Sequence, residues 1–310
     1  MNFIRGLEKD NILNSAKLTY DLQLILLKIH MDYTTGILYV VATPIGNLED
    51  ITFRAIRILK EVKLIAAEDT RRTKKLLRSY DIQTPLTSLY DQNERRKSSI
   101  LISKLKEGMD VACVSDAGTP GISDPGYLLI RQAIESNVQV VPVPGVSAVI
   151  TALSISGLPT DAFIYYGFLP SRASKRKLFL QSIKYEEKTL VFYESPKRLL
   201  SSLSDIGSTF GIRDIVVLRE LTKIFEEVIR GTIPHVIDQL QERMIKGEVT
   251  IIVAGHGKIS PEISDEQICK RFEQMNKDTK LSRRDIIIKL AKDSGISRRR
   301  VYRLVNILFP

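Results

Sequence analysis

The sequence predicts an α/β protein built as two tandem α/β lobes with a cleft between them, followed by a small helix-turn-helix-like module. Three observations predict it. Short runs rich in Val, Ile and Leu alternate with helical patterns from residue 37 onward, the signature of βαβ units and a mostly parallel sheet. That alternation breaks at Gly157-Leu-Pro159 and resumes near Ala162. From Lys258 to Pro310 the chain then turns basic, with 13 Lys and Arg against 7 Asp and Glu.

Taken in order, Ile37 to Ala42 is a β-rich run ending at Thr43-Pro-Ile-Gly-Asn47. Phe53 to Lys60 reads as a helix, Lys63 to Ala67 as a strand, and a second helix runs to about Tyr80. Glu94 to Glu107 is a polar-faced helix that leads to the strand Val111 to Val114. Val138 to Val143 is a strand, and Val146 to Ser156 a small-residue helix. In the second lobe Ala162 to Phe168, Thr189 to Tyr193, Ile215 to Leu218 and Val249 to Ala254 read as strands. Lys175 to Ile183, Pro196 to Thr209 and Pro234 to Lys246 read as helices. Ser282 caps a tail helix with an apolar face of Ile286, Ile287, Leu290 and Ala291; Gly295 breaks it. Ser297 caps another, with Val301, Leu304, Val305 and Leu308 on one stripe. The expected divisions are 36–157, 158–257 and 258–310, with residues 1–35 an extension outside the fold and Met31 an alternative start.

Composition narrows the function classes. The net charge is +10 over 310 residues, with 44% hydrophobic and 26% charged residues. That is ordinary for a globular chain but basic enough to favour a polyanion, nucleic acid first. The two cysteines, Cys113 and Cys269, match no metal spacing and fit a reducing cytoplasm. His30, His235 and His256 are scattered, which gives no sign of a metal centre. No apolar run approaches the ~20 residues needed to cross a bilayer.

The chemistry is expected at the loops after the strands, where open α/β sheets hold ligands. Ser115-Asp-Ala-Gly-Thr-Pro-Gly-Ile-Ser-Asp-Pro-Gly126 is the longest of these. Its glycines let backbone approach a ligand closely. It holds no Lys and no Gly-Lys-Ser/Thr ending, so it is not a Walker phosphate loop. Thr43 to Asn47, Glu68-Asp-Thr-Arg71, Pro142 to Ser147, Glu194 to Arg198 and Arg219 to Lys223 join it. No nucleophile–base arrangement stands out, which leaves the chemistry to a cofactor.

Those same segments, in that order, resemble the family of bacterial 16S rRNA (cytidine-2′-O)-methyltransferases, a branch of the tetrapyrrole-methylase-like enzymes that depend on S-adenosylmethionine. The resemblance covers roughly residues 36 to 310. One departure is Lys197, where the family usually has His in Glu-Ser-Pro-His-Arg. The resemblance implies a homodimer of tetrapyrrole methylase type that binds S-adenosylmethionine and methylates the ribose 2′-oxygen of a decoding-region cytidine of 16S rRNA in the small ribosomal subunit. It implies cofactor contacts at Pro44, Ala117, Gly118, Thr119, Ile122, Ser147, Ala148, Glu194 and Leu221. Asp116, Glu194, Glu220 and Lys223 are the ionisable candidates for the chemical step, and the sequence does not choose among them. Arg71, Arg198, Arg298, Arg299, Arg300 and Arg303 are the candidates for RNA phosphates. The alternatives are a tetrapyrrole methyltransferase of the same fold and a non-catalytic RNA-binding homologue.

Overall fold

The structure is a computed structural model that describes residues 35–257, 265–278, 282–294 and 301–305. The N-terminal extension lies outside the described residues. The chain divides into two compact units. One runs up to Thr151 and takes in Glu220–Glu226; the other is Ala152–Arg219 with everything from Glu227.

In the first unit five strands form one sheet: β1 (Leu38–Val41), β2 (Leu64–Ala67), β3 (Leu86–Ser88), β4 (Val111–Val114) and β5 (Val140–Val143). Their order is β3-β2-β4-β1-β5, and every pairing is parallel. A parallel sheet is covered on both faces, so its strands read as continuous apolar runs. The period-2 alternation of side chains sorts them to the two sides. Tyr39, Val41, Ile65, Ala67, Ala112 and Val114 pack with Ile58 and Leu59 of α1 (Phe53–Glu61) and Leu77 of α2 (Thr70–Arg78). Leu38, Ala66, Val111 and Cys113 pack with Leu101 and Leu105 of α3 (Glu94–Lys106) and with Leu129 and Ala133 of α4 (Tyr127–Glu135). Each fully buried Leu or Ile of these layers contributes ~1.5–3 kcal/mol over its exposed state. Thr52 caps α1 by accepting from the Ala55 N–H at 3.1 Å, and Asp69 caps α2 through the Arg71 N–H at 2.8 Å.

The helix α5 (Ala148–Ser156) contains the division between units, ahead of the Gly157-Leu-Pro159 break. In the second unit β6 (Phe163–Phe168), β7 (Thr189–Glu194), β8 (Asp214–Arg219), β9 (Glu227–Thr232) and β10 (Val249–Val253) form a sheet of order β6-β7-β10-β8-β9. Here only β6 and β7 are parallel; β10 runs antiparallel to both β7 and β8, and β9 antiparallel to β8. The helices α6 (Ala173–Ser182), α7 (Leu199–Phe210) and α8 (Ile233–Leu240) pack Leu180, Leu203, Ile206 and Val236 against Phe192, Val217 and Ile251. Glu194 and Arg219, the last residues of β7 and β8, both stand opposite Val249. Their loops therefore leave the same end of this sheet, although the sheet is mixed.

The tail has its own core. Ile268 and Phe272 of α9 (Asp265–Asp278), Ile286, Ile287, Leu290 and Ala291 of α10 (Arg283–Ser294), and Val301 and Val305 are buried together. The Ser282 hydroxyl accepts from the Asp285 N–H at 3.2 Å and donates to its carboxylate at 2.6 Å, which starts α10.

Candidate active site

The site is built where three adjacent strands, β4, β1 and β5, end. Thr43 and Gly118 exchange two backbone hydrogen bonds of 2.9 Å each way, which bridges the loop after β1 to the glycine-rich loop after β4. The buried Thr43 hydroxyl donates to the Ser115 carbonyl at 3.1 Å. The Ser115 hydroxyl reaches the carbonyls of Ala117 and Gly118. Gly118 has φ +81°, a left-handed conformation that favours glycine. Thr119 donates to the Val146 carbonyl at 3.3 Å and so ties in the loop after β5. At Gly145 a Cβ would stand 2.9 Å from the Cβ of Ala42, closer than such atoms pack, so the third loop needs glycine to lie against the first.

The segment Glu220–Glu226 belongs to this unit although sequence order would leave it in the second lobe. A Cβ at Gly46 would fall 2.4 Å from Cγ of Lys223 and 2.8 Å from the Thr222 hydroxyl, so bare backbone lets the segment dock. The Asn47 N–H donates to that hydroxyl at 3.1 Å. Glu220 and Thr222 have φ of +51° and +65°. For a β-branched residue such as Thr222 that conformation is strained and costs ~1–3 kcal/mol. Leu221 is buried, and Lys223 is paired with Glu220 at 2.8 Å.

These bonds gather Pro44, Ala117, Gly118, Thr119, Ser147, Ala148 and Leu221 at one end of the first sheet; Ile122, further along the glycine-rich loop, is exposed. Asp116 accepts from the Asp69 N–H at 2.9 Å and from Arg72 at 3.2 Å, and its own N–H donates to Glu68 at 3.3 Å. It thus fastens the loop after β4 to the loop after β2. Two further acids of these loops, outside the ionisable candidates, are Asp124 and Glu68. Asp124 is pushed up to about 7 by burial first, then by the like charges of Glu68 and Asp116. Glu68 is itself raised, chiefly by burial. Glu94, buried on α3, accepts from the N–H groups of Gly126 at 2.8 Å and Leu128 at 3.0 Å, which anchors the far end of the glycine-rich loop at the start of α4.

In the second unit the Glu194 carboxylate is buried and fully bonded. It accepts from Ser195 N–H at 2.7 Å, pairs with Arg198 at 2.5 Å and takes the Ser202 hydroxyl at 2.6 Å. Arg198 also donates to the Leu169 carbonyl at 3.3 Å. Arg198, expected as a phosphate ligand, places its guanidinium on Glu194 and on the chain just after β6. Arg71 is exposed and grips Asp69 through two nitrogens, at 3.1 and 2.8 Å. That contact holds the Asp69 carboxyl well below the usual carboxylate range. Arg303 is exposed, and Arg298, Arg299 and Arg300 lie outside the described residues.

A family profile described as Tetrapyrrole (Corrin/Porphyrin) Methylases matches residues 37–237. The chain belongs to the tetrapyrrole methylase family. Among its relatives, the ribosomal RNA small subunit methyltransferase I of Halalkalibacterium halodurans is 46% identical over 278 residues, covering 87% of this chain and 95% of that protein. The protein of the same name from Synechocystis is 44% identical over 271 residues, covering 87% and 97%. Solved tetrapyrrole methylase-type structures share the fold: diphthine synthase at TM-score 0.55, 13% identity, covering 71% of this chain and 90% of that one. The uroporphyrin-III C-methyltransferase of Thermus thermophilus, complexed with S-adenosyl homocysteine, gives TM-score 0.50 and 17% identity, covering 70% and 96%.

Proposed function

We propose that this tetrapyrrole methylase transfers the methyl group of S-adenosylmethionine to the ribose 2′-oxygen of a cytidine in the decoding region of 16S rRNA, within the small ribosomal subunit. The observation that carries the reading is the 46% identity to a ribosomal RNA small subunit methyltransferase I across 87% of the chain and 95% of the relative. The fold neighbours cover only 70–71% of the chain. The ribosomal relatives therefore match sequence beyond the shared fold, which supports an RNA substrate over a tetrapyrrole.

The loops fit the cofactor. Ser115 to Gly126 carries no Lys or Arg, and Gly118 brings bare backbone to the strand ends. That suits an uncharged adenosine and a short zwitterion rather than a polyphosphate. Pro44, Ala117, Gly118, Thr119, Ile122, Ser147, Ala148 and Leu221 would hold it, and it would supply an electrophilic methyl group on a sulfonium. Alignment then carries much of the rate. Asp116 and Glu194 have both carboxylate oxygens bonded to neighbours, which fits positioning roles. Glu220 and Lys223, paired at 2.8 Å, stay the candidates for handling the proton of the 2′-hydroxyl. The 2′-oxygen, relieved of that proton, would be the acceptor of the methyl group. Homodimerisation and a cytoplasmic setting complete the reading. Among the described residues no helix is long and apolar enough to cross a membrane, and no cluster of His, Cys, Asp or Glu is shaped for a metal.

The test is transfer of radiolabelled methyl to small subunits purified from a strain lacking the protein, alongside titration of the cofactor by calorimetry. Labelled rRNA is expected. Cofactor binding without labelled rRNA would move the assignment to a small-molecule methylase; no cofactor binding would leave a non-catalytic RNA binder.

A further inference from the structure

A groove of about 890 Å³ runs between α2 and the strand β3 in the first unit. The reading of the glycine-rich loops does not use it. One wall is a single face of α2. Arg71, Lys74 and Arg78 line it at positions i, i+3 and i+7, which stack along one side of a helix. At 1.5 Å per residue they extend over roughly 10 Å, enough to follow successive phosphates of one strand. The other wall mixes hydroxyls with apolar surface: Thr84, Thr87 and Ser88, from β3 and its approach, stand among Ile82, Pro85 and Leu86. Among the described residues β3 pairs only with β2, at the edge of the sheet. Among the described residues no carboxylate lines the groove. Arg71 is held by Asp69, whereas neither Lys74 nor Arg78 is ion-paired among the described residues. The whole of α2, Thr-Arg-Arg-Thr-Lys-Lys-Leu-Leu-Arg, has five cations and no acid. Lys97 of α3 extends the positive rim, its ammonium donating to the Thr87 hydroxyl at 2.9 Å.

We infer that this groove holds the sugar–phosphate backbone of single-stranded RNA, as a second RNA contact apart from the basic tail. The inference rests on the rRNA methyltransferase reading and adds where the substrate strand lies. Cations spaced along one wall with hydroxyls and amides opposite match phosphate and ribose oxygens. Among the described residues no aromatic side chain lines the groove, so they offer no platform on which to stack a base. It therefore contributes affinity and register without reading sequence. A peptide added to the β3 edge is the competing occupant, and the cationic wall disfavours it unless the peptide is acidic.

The test compares the parent chain with the double variant Lys74→Gln/Arg78→Gln. Binding of a labelled single-stranded RNA oligonucleotide and of small ribosomal subunits is followed across a salt titration, with cofactor affinity as the check on folding. The variant is expected to bind RNA on the order of tenfold more weakly whatever the sequence, with a log–log salt slope shallower by about 1.4 for two lost phosphate contacts. Photo-crosslinking of thiouridine-substituted RNA to the parent is expected to label peptides within 70–88. Unchanged affinity and slope, crosslinks confined to 283–305, or displacement of the RNA by a polyglutamate peptide but not by unlabelled RNA would each overturn the inference. If the parent neither binds nor methylates small subunits, the functional reading and the groove assignment fall together. If it does both and the variant matches it, the groove assignment alone falls.

Discussion

Thr43 and Gly118, 75 residues apart, form a reciprocal pair of 2.9 Å backbone hydrogen bonds outside any strand ladder. This bridge seats the glycine-rich loop on the end of β1, and it depends on the left-handed conformation of Gly118. Around it converge Thr119 from the same loop, bonded to Val146, and the Glu220–Glu226 segment, docked on Gly46. The site is an arrangement of loops held by backbone and hydroxyl bonds, with its charged groups mostly spent on one another.

Gly118→Ala isolates the conformational requirement. A Cβ there meets nothing closer than 3.6 Å, so the penalty is the left-handed φ and not a clash. A loss of ~1–2 kcal/mol in urea unfolding is expected. Cofactor affinity should fall by more than that stability loss alone produces, because the loop must leave its present path.

Arg198→Ala leaves the buried Glu194 carboxylate without its cation. Removing one partner of a buried pair costs ~3–5 kcal/mol, and the quarter exposure of the Arg198 side chain places it near the lower figure. Combining it with Glu194→Gln should cost less than the sum of the two single changes, read from equilibrium unfolding. Additive costs would mean that the pair contributes no coupling.

Asp124 gives the protein a pH dependence of a particular sign. Its folded value, about 7, lies above its ordinary 3.8. Between those values the folded state keeps a proton that the unfolded state has released, so stability falls as pH rises through that window. Asp124→Asn should raise the melting temperature at pH values above 7 and flatten the decline. Parallel pH profiles for parent and variant would refute this.

The two thiols should differ in reactivity. Cys113 is fully buried in β4, and burial pushes its thiol up to about 12. Cys269 is part-exposed on α9. Alkylation of the native protein followed by peptide mass spectrometry should find Cys269 modified first and Cys113 modified only on unfolding.

The first unit was legible because a sheet buried on both faces writes its strands as unbroken apolar runs, as in Leu38–Val41 and Val111–Val114. β3 escaped because Leu-Thr-Ser is too short to carry a period. β9 escaped because Arg230 and Gly231 interrupt it, and its pairing with β8 supplies what local propensity does not. α8 ends at Leu240 rather than Lys246. α9 was overlooked although Ile268, Phe272 and Met275 stand at helical spacing, a signal sufficient to find it. In the site, the loops could be located from their glycines and their place after strands. The roles of Glu94, Asp124 and Arg198 could not, because each is fixed by a partner on another element. Glu94 caps a helix 32 residues downstream, and Arg198 turns back onto Glu194.

The central claim is the chemical identity of the product. Small subunits lacking the modification, incubated with the protein and labelled S-adenosylmethionine, should yield 16S rRNA whose nucleoside digest carries the label as 2′-O-methylcytidine, identified by mass spectrometry. Label on a base, on another nucleoside or on a tetrapyrrole offered in its place, with the ribosomal RNA unmodified, would contradict the account.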